Sequence, residues 1–204
     1  MPAAHKQRFL GNLSYIEEER EYFLRAAKHR DLNDLGRLIL NQGMRPDEVT
    51  CLRKADVDLD RGQLRITGGK SPAARRTLDL TSESRTILAQ RMAGDSKWIF
   101  PSSRNPGQHI TRVNGAHDRV CAAGATAGMV FTFVLYDFRH TFATRLAQAG
   151  IDLATLAAIL GHSSIRLVQR YVHPTAEHTR SAMLHYDEIL RAEKAVGEQA
   201  GRPN

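Results

Sequence analysis

Arg139, His162 and Tyr171 follow one another at separations of 23 and nine residues in the C-terminal part of a 204-residue chain. Their types suit one task. A guanidinium is permanently charged and donates two parallel hydrogen bonds to a phosphate. An imidazole adds another polar contact, and a phenol attacks phosphorus once its proton, with a free pKa of about 10, has been removed. Two upstream residues fit the same chemistry. Arg45 stands immediately before Pro46-Asp47-Glu48, a helix start whose backbone N–H groups favour an anion. Lys70 lies at the tip of Gly68-Gly69-Lys70-Ser71-Pro72. Singly, each has an ordinary explanation: a helix-start arginine, a solvated lysine, an arginine paired with Asp137 or Asp152, a capping histidine, a half-buried core tyrosine. Together and in this order they favour a shared site.

The elements that must position them are mainly helices. Ser14 and Glu17 form a capping-box pattern opening a helix that runs to about His29. A second begins at Asp31 or Asn33, carries Leu32, Leu35, Leu38 and Ile39 at helical spacing, and stops at Gly43. A third starts at Pro46. Val57 with Leu59, Leu64 with Ile66, and Arg76 to Leu80 then read as three strands with turns at Asp60-Arg61-Gly62 and around Lys70. Ser82 caps a helix to about Ala93. Trp98 to Phe100 is extended, and a polar loop follows. Another helix is predicted over Arg112 to Ala123. Asp137 or Phe138 opens a helix closed by Gly150, Asp152 caps Leu153 to Leu160, and Ser163 or Ser164 caps a further helix ending near Tyr171. A last helix starts at Thr175. The fold class predicted is α+β, mostly α-helical, with helices packed around a small three-stranded antiparallel sheet.

Composition sets the outer bounds. The apolar share of 42% supports a core, and no 18-residue apolar run or signal-peptide pattern occurs. This predicts a soluble, untargeted, cytoplasmic protein with no membrane partner. Two distant cysteines, Cys51 and Cys121, read as reduced thiols, not a disulfide or a metal site. A net charge of +7 and a pI near 9.8 favour a polyanionic partner.

Arg45 with Glu48, Lys70 in a strand–strand turn, Arg139-His140-Thr141, Leu160-Gly161-His162-Ser163 and Tyr171 resemble the catalytic domain of the tyrosine recombinases, the phage-integrase family. The ordered set is specific, though no single box is. The resemblance implies the DNA breaking-rejoining catalytic fold over residues 14–174, after a flexible lead-in at 1–13. It also implies a C-terminal helix at 175–196 that docks on a neighbouring protomer; a frayed tail is predicted at 197–204. In the implied reaction Arg45 and Arg139 clamp the scissile phosphate of double-stranded DNA. Tyr171 forms a 3′-phosphotyrosyl link, Lys70 protonates the 5′-oxygen, His162 donates to the phosphate, and Glu48 orients the region of the first arginine. Covalent capture conserves the phosphodiester energy, so neither metal, ATP nor another cofactor is expected. Arg75 and Arg76, then Arg112 and Arg166, are candidates for contacts to backbone phosphates, with Arg170 and His109 weaker ones. His173 and His178 are assigned to solvent.

Two departures from the family pattern stand out. Its histidine three residues before the second arginine is Tyr136 here, a hydrogen-bond donor but a poor base near neutral pH. His140, about 100° round the helix from Arg139, is assigned to a supporting or core role. The separate N-terminal DNA-gripping domain of the family is expected to be absent, since only about a dozen residues precede the first helix. Competing readings are a non-catalytic helix-turn-helix module, with Leu153 to Tyr171 as the motif, a type IB topoisomerase with the same chemistry, and a degraded relic.

Overall fold

A computed structural model describes residues 13–68, 72–171 and 176–200. Helix α1 spans Leu13–Ala26 and α2 spans Arg30–Gln42. The stripe predicted on α2 is the buried one: Leu32, Leu35, Leu38 and Ile39 are fully enclosed. Gly43 ends α2 with φ +61°, the left-handed conformation that favours glycine. A Cβ there would also lie 2.4 Å from the Phe142 ring, so this turn has no room for a side chain. The short helix α3, Pro46–Thr50, follows at once. Ser14 lies inside α1 rather than at a cap position before it.

Strands β1 (Val57–Asp58), β2 (Gln63–Ile66) and β3 (Arg76–Asp79) form an antiparallel sheet in the order β1-β2-β3, pairing Val57 with Leu64 and Leu64 with Leu78. Val57, Leu64, Ile66 and Leu78 point inward, the alternation the sequence suggests. The turn that carries Lys70 lies outside the described residues. Helix α4 spans Ser82–Arg91, and Thr81, not Ser82, supplies the capping oxygen, to the Ser84 N–H. Trp98 and Pro101 make isolated bridges to Arg53 and His109.

Helix α5 covers Asn114–Thr126 and α6 covers Leu135–Gln148. Helix α6 starts two residues before the predicted Asp137, because Asp137 acts from its first turn. Its carboxylate accepts the Val134 N–H at 2.9 Å, where Val134 has no capping side chain of its own. Helix α7, Leu153–Leu160, begins at the Asp152 cap and ends on Gly161 at φ +64°, as predicted. The helix predicted from Ser163 or Ser164 to Tyr171 is instead two single 3₁₀ turns, Ile165–Leu167 and Gln169–Tyr171, the first capped by Ser164. Residues 163–171 thus form no α-helix to serve as the recognition helix, against the helix-turn-helix reading of Leu153 to Tyr171.

The main core joins α1, α2, the sheet and α6 through Tyr22, Phe23, Leu35, Leu64 and Phe138. Within it the Tyr22 hydroxyl donates to Nδ1 of His117 at 2.7 Å, and His117 Nε2–H donates to the Phe133 carbonyl at 3.1 Å. Burial lowers the His117 pKa, consistent with this neutral arrangement. A second cluster packs α6 and α7 against Val168 and Tyr171. The chain through Tyr171 is one compact unit; the rest is a second, containing helix α8, Ala176–Ala200. Cys51 is exposed and Cys121 half-buried, both as free thiols.

Candidate active site

Three chain turns build the site. The α2–α3 corner supplies Gly43 and Arg45, α6 supplies Tyr136, Arg139 and His140, and the α7 end supplies Leu160 to His162. Arg45 is the residue before Pro46, and its backbone N–H donates to Glu48 Oε2 at 2.8 Å, one half of a capping box. Its side chain donates to Glu48 Oε1 at 2.8 Å and to the Gly161 carbonyl at 3.3 Å.

Glu48 receives a second arginine. Arg76 donates from its two terminal nitrogens to Oε1 at 3.0 Å and Oε2 at 2.9 Å, a bidentate pair. Burial alone would raise the Glu48 pKa; Arg76 and Arg45 outweigh it and hold the carboxyl below its usual range. Arg76 also donates to the carbonyls of Ile159 and Ala74, and its side chain is only 7% exposed. Its predicted role as a contact for backbone phosphates is therefore corrected: its donors are spent inside the protein, tying β3 to α3 and to the end of α7.

Arg139 is almost wholly enclosed, 1% exposed. It donates to the carbonyls of Gly43 and Leu160, and its second terminal nitrogen lies 3.0 Å from His162 Nε2. Arginine has no acceptor, so Nε2 accepts and the other ring nitrogen, Nδ1, holds the proton of the neutral ring. Its Nε is buried without a hydrogen-bond partner. Burial and the neighbouring charge of Arg45 bring the Arg139 pKa down to about 10, still protonated at neutral pH. Burial, then Arg139 and Arg45, bring His162 down to about 4, so its imidazole is neutral. Burial is the larger cause of both shifts, and the neighbouring arginines add to it.

Tyr171 is 8% exposed, and its hydroxyl lies 2.6 Å from His140 Nδ1. Burial raises the Tyr171 pKa, partly opposed by Arg170 and Arg139, and burial followed by Arg170 lowers that of His140. The neutral phenol thus donates to the neutral imidazole. The Arg170 guanidinium sits 5.2 Å from the Tyr171 ring centre. Tyr136 meets His140 edge-to-face at 5.1 Å. His140 is therefore in direct contact with Tyr171, where the sequence reading assigned it a supporting or core role. The missed signal is helical spacing: from Tyr136, residues three and four onward share its face, and these are Arg139 and His140.

Of the other predicted residues, Arg75, Arg112 and Arg166 are exposed. Arg75 lines a shallow cavity of about 400 Å³ together with His162 and Ser164. A cavity of about 440 Å³ is shared by Arg45 and Glu48 with Thr67 and Gly68, so the β2 arm leading to Lys70 is beside Arg45. Lys70 itself, His173 and the side chain of His178 lie outside the described residues. Among the described residues no three His, Cys, Asp or Glu side chains are grouped as metal ligands would be.

Residues 16–178 match the phage integrase family, and the chain belongs to that family. It is 32% identical over 165 residues to tyrosine recombinase XerA of Thermococcus kodakarensis, covering 79% of this chain and 56% of that protein. It is likewise 32% identical over 177 residues to tyrosine recombinase XerD of Caulobacter vibrioides, covering 79% and 57%. The chain thus spans about half the length of these curated relatives. Among solved structures it resembles the Tn1549 transposon integrase in complex with transposon right end DNA, with a TM-score of 0.68 and 20% identity over 83% of this chain and 64% of that one. The catalytic domain of bacteriophage HP1 integrase gives 0.56 and 24% over 81% and 90%. These likenesses show the fold, the α+β arrangement with a three-stranded antiparallel sheet.

Proposed function

We propose that this chain cleaves and rejoins DNA strands in site-specific recombination, through a covalent 3′-phosphotyrosyl intermediate on Tyr171. One observation carries the reading: Arg45 and Arg139, from opposite halves of the sequence, are fastened to adjacent carbonyls at the end of α7 beside His162. The scissile phosphate approaches from the side of Arg45, whose side chain is 31% exposed, and of His162. Its non-bridging oxygens take the donors of the partly exposed Arg45, while the enclosed Arg139 adds its positive charge from behind; both stabilise the charge developing in the transition state. Neutral His162 donates from Nδ1. Tyr171 attacks phosphorus as the bond to the 5′-oxygen breaks, and Lys70 protonates that oxygen. Water and ATP are not consumed, and the 5′-hydroxyl later reverses the step. Glu48 holds Arg45 from behind.

Double-stranded DNA with a specific site is the partner that the charge and the related DNA-bound integrase support. Arg75, Arg112 and Arg166 contact backbone phosphates away from the cleavage point. Exposed Met183, Leu184, Tyr186, Ile189 and Leu190 on α8 are the surface for a second protomer on DNA. Among the described residues no helix is long and apolar enough to cross a membrane, and the place of action is the nucleoid.

The test uses labelled, singly nicked duplexes tiled across host DNA flanking the coding segment, in which the cleaved fragment diffuses away and traps the intermediate. Wild-type protein yields a denaturant-resistant protein–DNA adduct, and Tyr171→Phe yields none. Sequence-specific binding with no adduct from any duplex contradicts the proposal.

A further inference from the structure

We infer that His140 is the group that takes the Tyr171 proton, filling the role left open by Tyr136 at the position of the family histidine. This rests on the strand-cleavage reading above. The geometry is direct: the Tyr171 hydroxyl is 2.6 Å from His140 Nδ1, within the reach required of a base. Two elements over-determine the contact. His140 lies on α6 one turn beyond Tyr136, whose ring packs edge-to-face against it at 5.1 Å. Tyr171 is held from the other side by its cluster with Ala143, Leu156, Leu160 and Val168.

The charged groups around the imidazole are Arg170, from the 3₁₀ turn that carries Tyr171, and Arg139 and Asp137 from α6. Tyr136 and Tyr171 are the neighbouring phenols. The two arginines disfavour the imidazolium, Asp137 favours it, and burial keeps the resting ring neutral and able to accept. In the step, the Oη–H bond breaks and its proton goes to Nδ1. The Oη–P bond forms, the bond from phosphorus to the 5′-oxygen breaks, and that oxygen takes a proton from Lys70. Religation returns the proton from Nδ1 to Oη. The phosphate brings negative charge to the pocket as the imidazolium forms, offsetting the repulsion from Arg170 and Arg139. The Tyr136 phenol packs against the ring of His140 and offers no imidazole nitrogen to take the proton.

The experiment measures the rate of adduct formation on the nicked duplex from pH 5 to 9 for wild type, His140→Gln and His140→Gln/Tyr136→His, with DNA affinity measured alongside. A positioned base contributes about 10²–10⁴-fold, so His140→Gln loses that factor in rate while keeping wild-type affinity. Wild type loses rate at acidic pH as the imidazole becomes protonated, and His140→Gln lacks this limb. Placing a histidine at 136 restores at least tenfold, which a purely structural defect would not allow. A duplex with sulfur in place of the 5′-bridging oxygen separates the two ends of the step: it rescues Lys70→Ala, whose leaving group no longer needs a proton, and leaves His140→Gln slow. Adduct formation by His140→Gln within threefold of wild type, with the acidic limb intact, overturns the assignment alone. If His140→Gln does not fold, His140→Asn takes its place, and adduct formation by that variant within threefold of wild type overturns the assignment. No adduct from wild type overturns the strand-cleavage reading and the assignment with it.

Discussion

Glu48 shows how one carboxylate sets the geometry of two arginines. It is 8% exposed at the side chain and accepts four hydrogen bonds, three from guanidinium nitrogens and one from the Arg45 backbone. Removing it strands Arg76, which is buried, without its counter-charge. Glu48→Ala is expected to cost about 3–5 kcal/mol, the range for breaking a buried pair by deleting one partner, and to weaken phosphate binding as Arg45 loses its support. Urea unfolding at pH 7 checks this, and a cost under about 1 kcal/mol would contradict the strut role. The pH dependence has a definite sign. The folded pKa is below the ordinary value of 4.5, so this stabilisation is complete above pH 4.5 and disappears as pH falls through the folded value. Glu48→Ala should accordingly show a shallower acid-side loss of stability than wild type. At this scale the sequence shows residue types well and partners poorly. Arg45, Arg139, His162 and Glu48 could be chosen by type and spacing, but nothing local distinguishes Arg76, which Glu48 captures from another strand, from its solvent-facing neighbour Arg75. His140 was hidden for a different reason: comparison with Arg139 alone puts it on another side of the helix, whereas comparison with Tyr136 puts it on the same one.

Among the elements, the turns matter as much as the helices. Gly43 and Gly161 both adopt positive φ, and both lie where backbone carbonyls face the arginines. At Gly161 a Cβ would come within 2.7 Å of the Arg76 guanidinium, so this cap too is a point of close approach. Gly43→Ala combines a left-handed backbone with a collision against Phe142. It should destabilise by at least about 1–3 kcal/mol from overpacking and slow cleavage by displacing the carbonyl that holds Arg139. Gly62→Ala is the control, since Gly62 has φ +67° but no atom within 4 Å of an added Cβ, leaving only the conformational cost of about 1 kcal/mol. Equal losses for the two variants, by thermal unfolding, would show that packing at Gly43 contributes nothing. Elements with a sharp local stop or cap were legible: α2 by Gly43, and α7 by Asp152 and Gly161. The segment after Ser164 was not, because apolar residues at helical spacing do not distinguish an α-helix from successive 3₁₀ turns over so few residues.

For the whole molecule, the fold brings distant segments of the chain to one site. Contacts such as Arg45 with Gly161 and Arg139 with Gly43 join residues 116 and 96 positions apart. The positions of Arg45 and His162 were legible, since they flank the start of α3 and the end of α7, both marked by local signals. The network fastening them was not, because it runs through backbone carbonyls, which every residue carries. The net charge of +7 predicts DNA binding that weakens steeply with added salt. Truncation after Pro174 should leave binding of one protomer to a half-site while reducing assembly on paired sites, read by gel mobility and light scattering; undiminished assembly would assign the α8 stripe another role.

The central claim is the covalent link at one phenol, and mass spectrometry of the trapped adduct tests it most directly. After nuclease and trypsin digestion, the peptide from Tyr171 to Arg180 should carry the mass of a nucleotide bound through its 3′-phosphate, with no such mass on the peptides containing Tyr136, Ser163 or Ser164. A nucleotide on any of those residues, with Tyr171 unmodified, would contradict the account.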